Sequence, residues 1–151
     1  RQRQMCIRDR GNPIIRSDGY STIVRTQVDG RASDDFYYDL NGQQVQCSGG
    51  YYGLHREYNA EGQNISLTFL DKDGHAVCIL SGYAIKTYQR DMDGTIVGEQ
   101  YFDTEGNPAR SLLGQYGELY QRNEQGYIGQ ITYLGTHPNQ CRLYYPQTYL
   151  S

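Results

Sequence analysis

Tyr101-Phe102-Asp103-Thr104-Glu105-Gly106-Asn107-Pro108 reads as the end of a strand running into a tight turn, and close variants of it stand along the chain at a nearly fixed interval. Its glycine belongs to the almost evenly spaced series Gly11, Gly42, Gly74 and Gly106, with Pro138 at the next place. With each leading glycine numbered zero, offset 8 holds Gly19, Gly50, Gly82 and Gly114, and offset 9 holds Tyr20, Tyr51 and Tyr83, with Gln115 standing before Tyr116. A second turn falls at offset 20, at Gly62, Gly94 and Gly126, with Gly30 one residue early because the first copy is one shorter. Allowing for that, offset 27 is aromatic throughout: Tyr37, Phe69, Tyr101 and Tyr133. Several columns agreeing in one register mark a tandem repeat.

Both turns have the form acid or amide, two residues, then glycine, as in Asp71-Lys72-Asp73-Gly74 and Asn59-Ala60-Glu61-Gly62. The first side chain accepts a hydrogen bond from the backbone two residues on, and the glycine takes the left-handed conformation that follows a type I turn. That combination closes a hairpin with a bulge. Between turns, Ile65, Leu67 and Phe69 alternate with polar residues, the period of a half-buried strand. Strands are expected at offsets 9 to 17 and 21 to 28, with a shorter extended piece at offsets 1 to 6. Three members per repeat in one meander would reverse each successive repeat and scatter the columns over different environments. The expectation is therefore a hairpin plus a connector that steps to the next hairpin. The fold class is all-β: tandem β-hairpin repeats of about 32 residues forming an elongated ribbon or open solenoid.

The repeats run 11–41, 42–73, 74–105 and 106–137, with 138–151 as a partial repeat or cap. Residues 1–10, Arg-Gln-Arg-Gln-Met-Cys-Ile-Arg-Asp-Arg, match no part of the pattern and resemble translated sequencing-adaptor sequence, so they are read as a non-native segment. Without them, 10 Lys and Arg stand against 16 Asp and Glu, a charge of −6 that argues against binding nucleic acid through its phosphates. No apolar run approaches the roughly 20 residues that cross a bilayer, so no membrane insertion is expected of this segment.

The apolar mass is carried by 16 Tyr against 3 Phe and no Trp, which suits a shallow sheet with wet faces. Cys47 and Cys78 sit at offsets 5 and 4, read as small buried side chains with a bridge between neighbouring repeats as the alternative. Asp71-x-Asp73-Gly74 and Asp91-x-Asp93-Gly94 have the look of calcium-loop fragments. Leu80 and Gln100 stand where a bidentate glutamate belongs, so turn chemistry is the reading and no metal site or cofactor is expected. His55, His75 and His137 lie at unrelated offsets, and no nucleophile elbow or phosphate loop is present, so no catalytic residue and no enzyme is expected.

The Tyr-Asp-x-x-Gly core, as Tyr38-Asp39-Leu40-Asn41-Gly42 and loosely Phe102-Asp103-Thr104-Glu105-Gly106, is similar to the tyrosine–aspartate repeats of the Rhs family. More widely, residues 11 to 138 resemble the tandem tyrosine–glycine hairpin repeats of bacterial surface proteins, including MORN-type and choline- or glucan-binding cell-wall repeats. The resemblance implies a non-catalytic module, extracellular or at the cell surface, acting as a spacer or as a weak multivalent binder of cell-wall or host glycans. The alternatives are a protein–protein interaction scaffold, or an accessory region of a toxin or enzyme whose catalytic domain lies elsewhere. Tyr20, Tyr51, Tyr83 and Tyr116 are the candidate glycan-stacking residues; the competing role for such columns is a ladder that ties adjacent hairpins together.

Overall fold

A computed structural model of the chain describes residues 13–135. The segment 1–10, the expected cap at 138–151, and Cys6, His137 and Cys141 lie outside the described residues. Within them there is no helix, and the chain is all-β as expected. The strands are β1 (Thr22–Val28), β2 (Arg31–Tyr38), β3 (Gly53–Tyr58), β4 (Asn64–Leu70), β5 (Ile85–Arg90), β6 (Ile96–Phe102), β7 (Gly117–Arg122) and β8 (Ile128–Leu134). They form one open sheet in the order of the sequence, every neighbouring pair antiparallel.

The turns follow from the side chains that precede their glycines. Asp71 Oδ1 accepts the backbone N–H groups of Asp73 and His75, each at 2.9 Å, and Asp103 Oδ1 does the same for Glu105 and Asn107. Gly74 then takes φ +89°, a conformation that a side chain would strain. The first hairpin is one residue shorter because Asp29 and Gly30 both have positive φ, as a two-residue type I′ loop requires. The other three hairpins close over longer turns, and all four carry a register shift near the end of the first strand, at Thr26/Gln27, Glu57/Tyr58, Gln89/Arg90 and Gln121/Arg122.

Between hairpins the chain makes two turns and one bridge before entering the next strand. The extended pieces at offsets 1 to 6 are thus connectors whose backbone pairs with the sheet through the single bridges Tyr38↔Gln44, Leu70↔Ala76 and Phe102↔Pro108. The connectors also hold one another by Ser48 N–H to Asp18 O, Leu80 N–H to Gly49 O and Leu112 N–H to Ser81 O. Phe69, Ile79, Tyr83 and Tyr101 form the core, with Tyr51, Leu54 and Ala109 packed against them.

On the opposite face the pairs joining one hairpin to the next are matched in size. Phe36 faces Gly53, Thr68 faces Ile85, and Gln100 faces Gly117. A Cβ at Gly53 would press on Asp35 O and stand 2.7 Å from the Phe36 ring, and backbone cannot swing aside as a side-chain tip does. Gly53→Ala is therefore expected to cost about 1–3 kcal/mol by overpacking, measured by urea unfolding. Phe36→Thr with Gly53→Ile, copying Thr68 and Ile85, relieves the ring contact but not the one with Asp35 O, and should recover only part of that loss. A Gly53→Ala protein as stable as the parent would show that β2 and β3 separate freely.

Candidate functional site: an aromatic ladder and a charged row

The columns at offsets 9 and 27 meet as one ladder. Ring centroids lie 4.6 Å apart for Tyr20 and Tyr37, 5.9 Å for Tyr37 and Tyr51, and 4.8 Å for Tyr51 and Phe69. They continue at 6.1 Å for Phe69 and Tyr83 and 4.3 Å for Tyr83 and Tyr101. The connector tyrosines fill the gaps between strand aromatics, in stacked and edge-on arrangements that favour such pairs. Of the four candidate glycan residues, Tyr83 and Tyr116 are buried, while Tyr20 and Tyr51 are half-buried. Tyr51 and Tyr83 each contact two other rings, and the Arg16 guanidinium lies 5.7 Å from the Tyr20 ring centre. Tyr116 is in none of these ring pairs; its N–H donates to Leu134 O at 3.0 Å. Burial raises the hydroxyl pKa of Tyr37, Tyr51, Tyr83 and Tyr101, so these groups stay neutral donors.

Beside the ladder the same face carries charges. Asp35 is 1% exposed. Its Oδ1 accepts Arg25 Nε at 2.7 Å, and its Oδ2 accepts Arg25 Nη2 at 2.8 Å and Arg56 Nη2 at 2.9 Å. Burial pushes the carboxyl upward, but the hydrogen bonds and charges of the two arginines outweigh it and hold the pKa at about 2. Farther along, Glu99 and Glu118 stand opposite each other on β6 and β7. Tyr101 donates to Glu99 at 2.9 Å, Tyr120 to Glu118 at 3.1 Å, and Gln115 Nε2 to Glu118 at 2.7 Å. Burial lowers the Lys86 pKa, but Glu99 on the facing strand together with Tyr88 and Tyr83 outweighs it and raises the pKa, so Lys86 remains a cation. The paired carboxylates are thus tied by donors on three sides, which is the chemistry of a fixed structural network.

His55 lies at an offset shared with no other histidine, yet cross-strand pairing places its Nδ1 3.0 Å from Asp34 Oδ1 and its Nε2 3.3 Å from Glu57. Burial pulls the imidazole pKa down, and the two carboxylates pull it up by more. It lines an open groove of about 480 Å³ with Arg31, Ser33, Arg56 and Tyr58. The partner, Asp34, is visible only once β2 and β3 are in register. His75 joins Asp71 and Asp73 in a grouping whose ligand atoms lie within 4.8 Å of one another. The bonds of the turn account for where Asp71 points. Cys47 and Cys78 are both free thiols, so the alternative of a bridge is not realised; Cys47 is buried as expected, whereas Cys78 is exposed, one offset earlier on a connector. Comparison with protein-family models, curated proteins and solved structures finds no match to this chain.

Proposed function

We propose that the chain is a non-catalytic array of tandem hairpins that serves as a spacer within a bacterial surface or secreted protein. The observation that carries this reading is the aromatic ladder: of the four tyrosines best placed to grip a sugar, Tyr20, Tyr51 and Tyr83 lie against other rings, and Tyr116 is buried. The carboxylates support it too, since Asp35, Glu99 and Glu118 are each held by fixed donors. The recurrence of the register supports the tandem reading: Leu54↔Phe69, Lys86↔Tyr101 and Glu118↔Tyr133 follow one another at a single constant interval on both strands. In such an array each unit rests on its neighbours, and length is set by the number of units.

Duplicating residues 74–105 in tandem should add one hairpin. The maximum dimension in small-angle scattering is expected to grow by about 10 Å, two strand spacings, at unchanged cross-section and with higher thermal stability. A more compact or unfolded product would overturn the tandem reading. The full chain is also expected to stay in the supernatant with peptidoglycan sacculi and insoluble glucans. Pelleting that a soluble sugar and Tyr20→Ala with Tyr51→Ala both abolish would replace the spacer by a glycan binder.

A further inference from the structure

The geometry points to head-to-tail association of copies of this chain, β8 of one copy pairing antiparallel with β1 of the next. This rests on the tandem reading above and extends it from one chain to several. Each internal junction between hairpins is built from the same parts. Tyr37 N–H donates to Tyr52 O, Phe69 N–H to Ala84 O, and Tyr101 N–H to Tyr116 O, all at one offset. A connector rung sits beside each, ending on Asp18 O, Gly49 O and Ser81 O. The strand aromatic at each junction is buried: Tyr37, Phe69 and Tyr101 are 5%, 6% and 4% exposed.

At the β8 edge every one of these parts is present in half. Tyr133 holds the place of Tyr101 but is 58% exposed. Among the described residues, Tyr133 N–H and Leu113 O have no counterpart of the bonds made at the three junctions. Gly50 and Gly82 lie under Leu80 and under the Arg110–Leu112 backbone, whereas no atom of the described residues lies within 4 Å of where a Cβ of Gly114 would be. The β1 edge presents the missing halves at the matching offsets. Ser21 N–H is already bonded to Tyr38 O, as Tyr52 is to Leu70 and Ala84 to Phe102, so its carbonyl stands where Tyr133 N–H needs an acceptor. Ser17 stands where Leu113 O needs a donor, and Tyr20 would continue the ladder from Tyr133. Carrying the register of the three junctions across gives Gln130 opposite Val24, Ile131 opposite Ile23, and Thr132 opposite Thr22.

Two further points favour a second copy as the occupant. Exposed edges are ordinarily guarded by charge or proline, but Tyr127 to Gly135 contains neither. The chain's own continuation has proline at 138 and 146, where the offsets of the turn glycines fall. Those glycines have φ between +79° and +101° at Gly42, Gly74, Gly106, Gly50, Gly82 and Gly114, and the ring of proline locks φ at a negative value. A second copy, by contrast, brings Gly19 at φ +98°. Because the two surfaces differ and the rotation between copies need not close, the assembly is an open chain of copies.

Sedimentation velocity of the full chain over a dilution series tests this. A ladder of species growing with concentration is expected. Ile131→Lys alone and Ile23→Glu alone should each suppress it, and the chain carrying both should recover it, because the introduced charges face each other across the junction. Both side chains are about two-fifths exposed, and circular dichroism checks that each variant is folded. Removing residues 136–151 should leave association intact. A monomer at every concentration, growth indifferent to both single variants, or growth that begins only when residues 136–151 are removed would each overturn the proposal. A monomer whose scattering still lengthens when residues 74–105 are duplicated would leave the tandem reading standing.

Discussion

Asp35→Ala should be among the most destabilising single substitutions in the sheet, costing about 3 kcal/mol, at the lower end of what removing one member of a buried ion pair costs. The lower end applies because the two arginines differ in what they lose. Arg25 has 46% of its side chain exposed and can return to water, whereas Arg56, at 19%, is left with a cation that water reaches poorly. The acid dependence carries the same signature. A carboxylate held at about 2 against an ordinary 3.8 gives its full stabilisation above the ordinary value and loses it as the pH falls through 2. That amounts to about 2 kcal/mol, so the gap between parent and Asp35→Asn should narrow from pH 5 toward pH 2. Urea midpoints at a series of pH values would show it; a constant gap would mean that Asp35 acts through packing alone.

Tyr101→Ala is expected to cost about 3–5 kcal/mol, the range for emptying a large aromatic from a core. The ring stacks on Tyr83 at 4.3 Å and its hydroxyl holds Glu99. Tyr101→Phe separates the two parts and should cost about 1.5–3 kcal/mol, one hydrogen bond to a carboxylate. Tyr133→Ala, one interval further along the same column, should change the stability of the dilute monomer little, because that ring lies at the sheet edge. Equal losses at Tyr101 and Tyr133 would show that the column acts through strand propensity and not through ring contact.

The turns and strands are legible in the sequence because they are local. An acid or amide three residues before a glycine fixes its own turn, and strands β3 to β8 fall inside the spans that the offsets mark out. The pairing of columns is not legible. Tyrosine and phenylalanine recur in the sequence at the spacing of Tyr51 and Phe69, but nothing in that spacing says that a connector and the strand beyond the next turn bring those rings to 4.8 Å. The Asp35 clamp is invisible for a further reason. Arg25 and Arg56 share one offset, but Tyr88 and Tyr120 stand at its next two places, and Asp35 shares its offset with Glu99 while Leu67 and Ile131 interrupt it, so no charged column announces the clamp. His55 escapes in the same way, since its partner Asp34 lies 21 residues away on another strand.

The strand order has a mechanical consequence. Because β1 to β8 lie in the sheet in the order in which they are connected, residues 13 and 135 belong to opposite edges. Tension between them pulls each outer strand away across its ladder, so the backbone bonds fail one after another instead of sharing the load. A hairpin peeled off in this way leaves its neighbours' pairing intact and re-forms against the same edge when the pull is released. As a tether the molecule would yield in steps of one hairpin, lengthening under modest force where a sheared sheet would hold rigid and then fail at once.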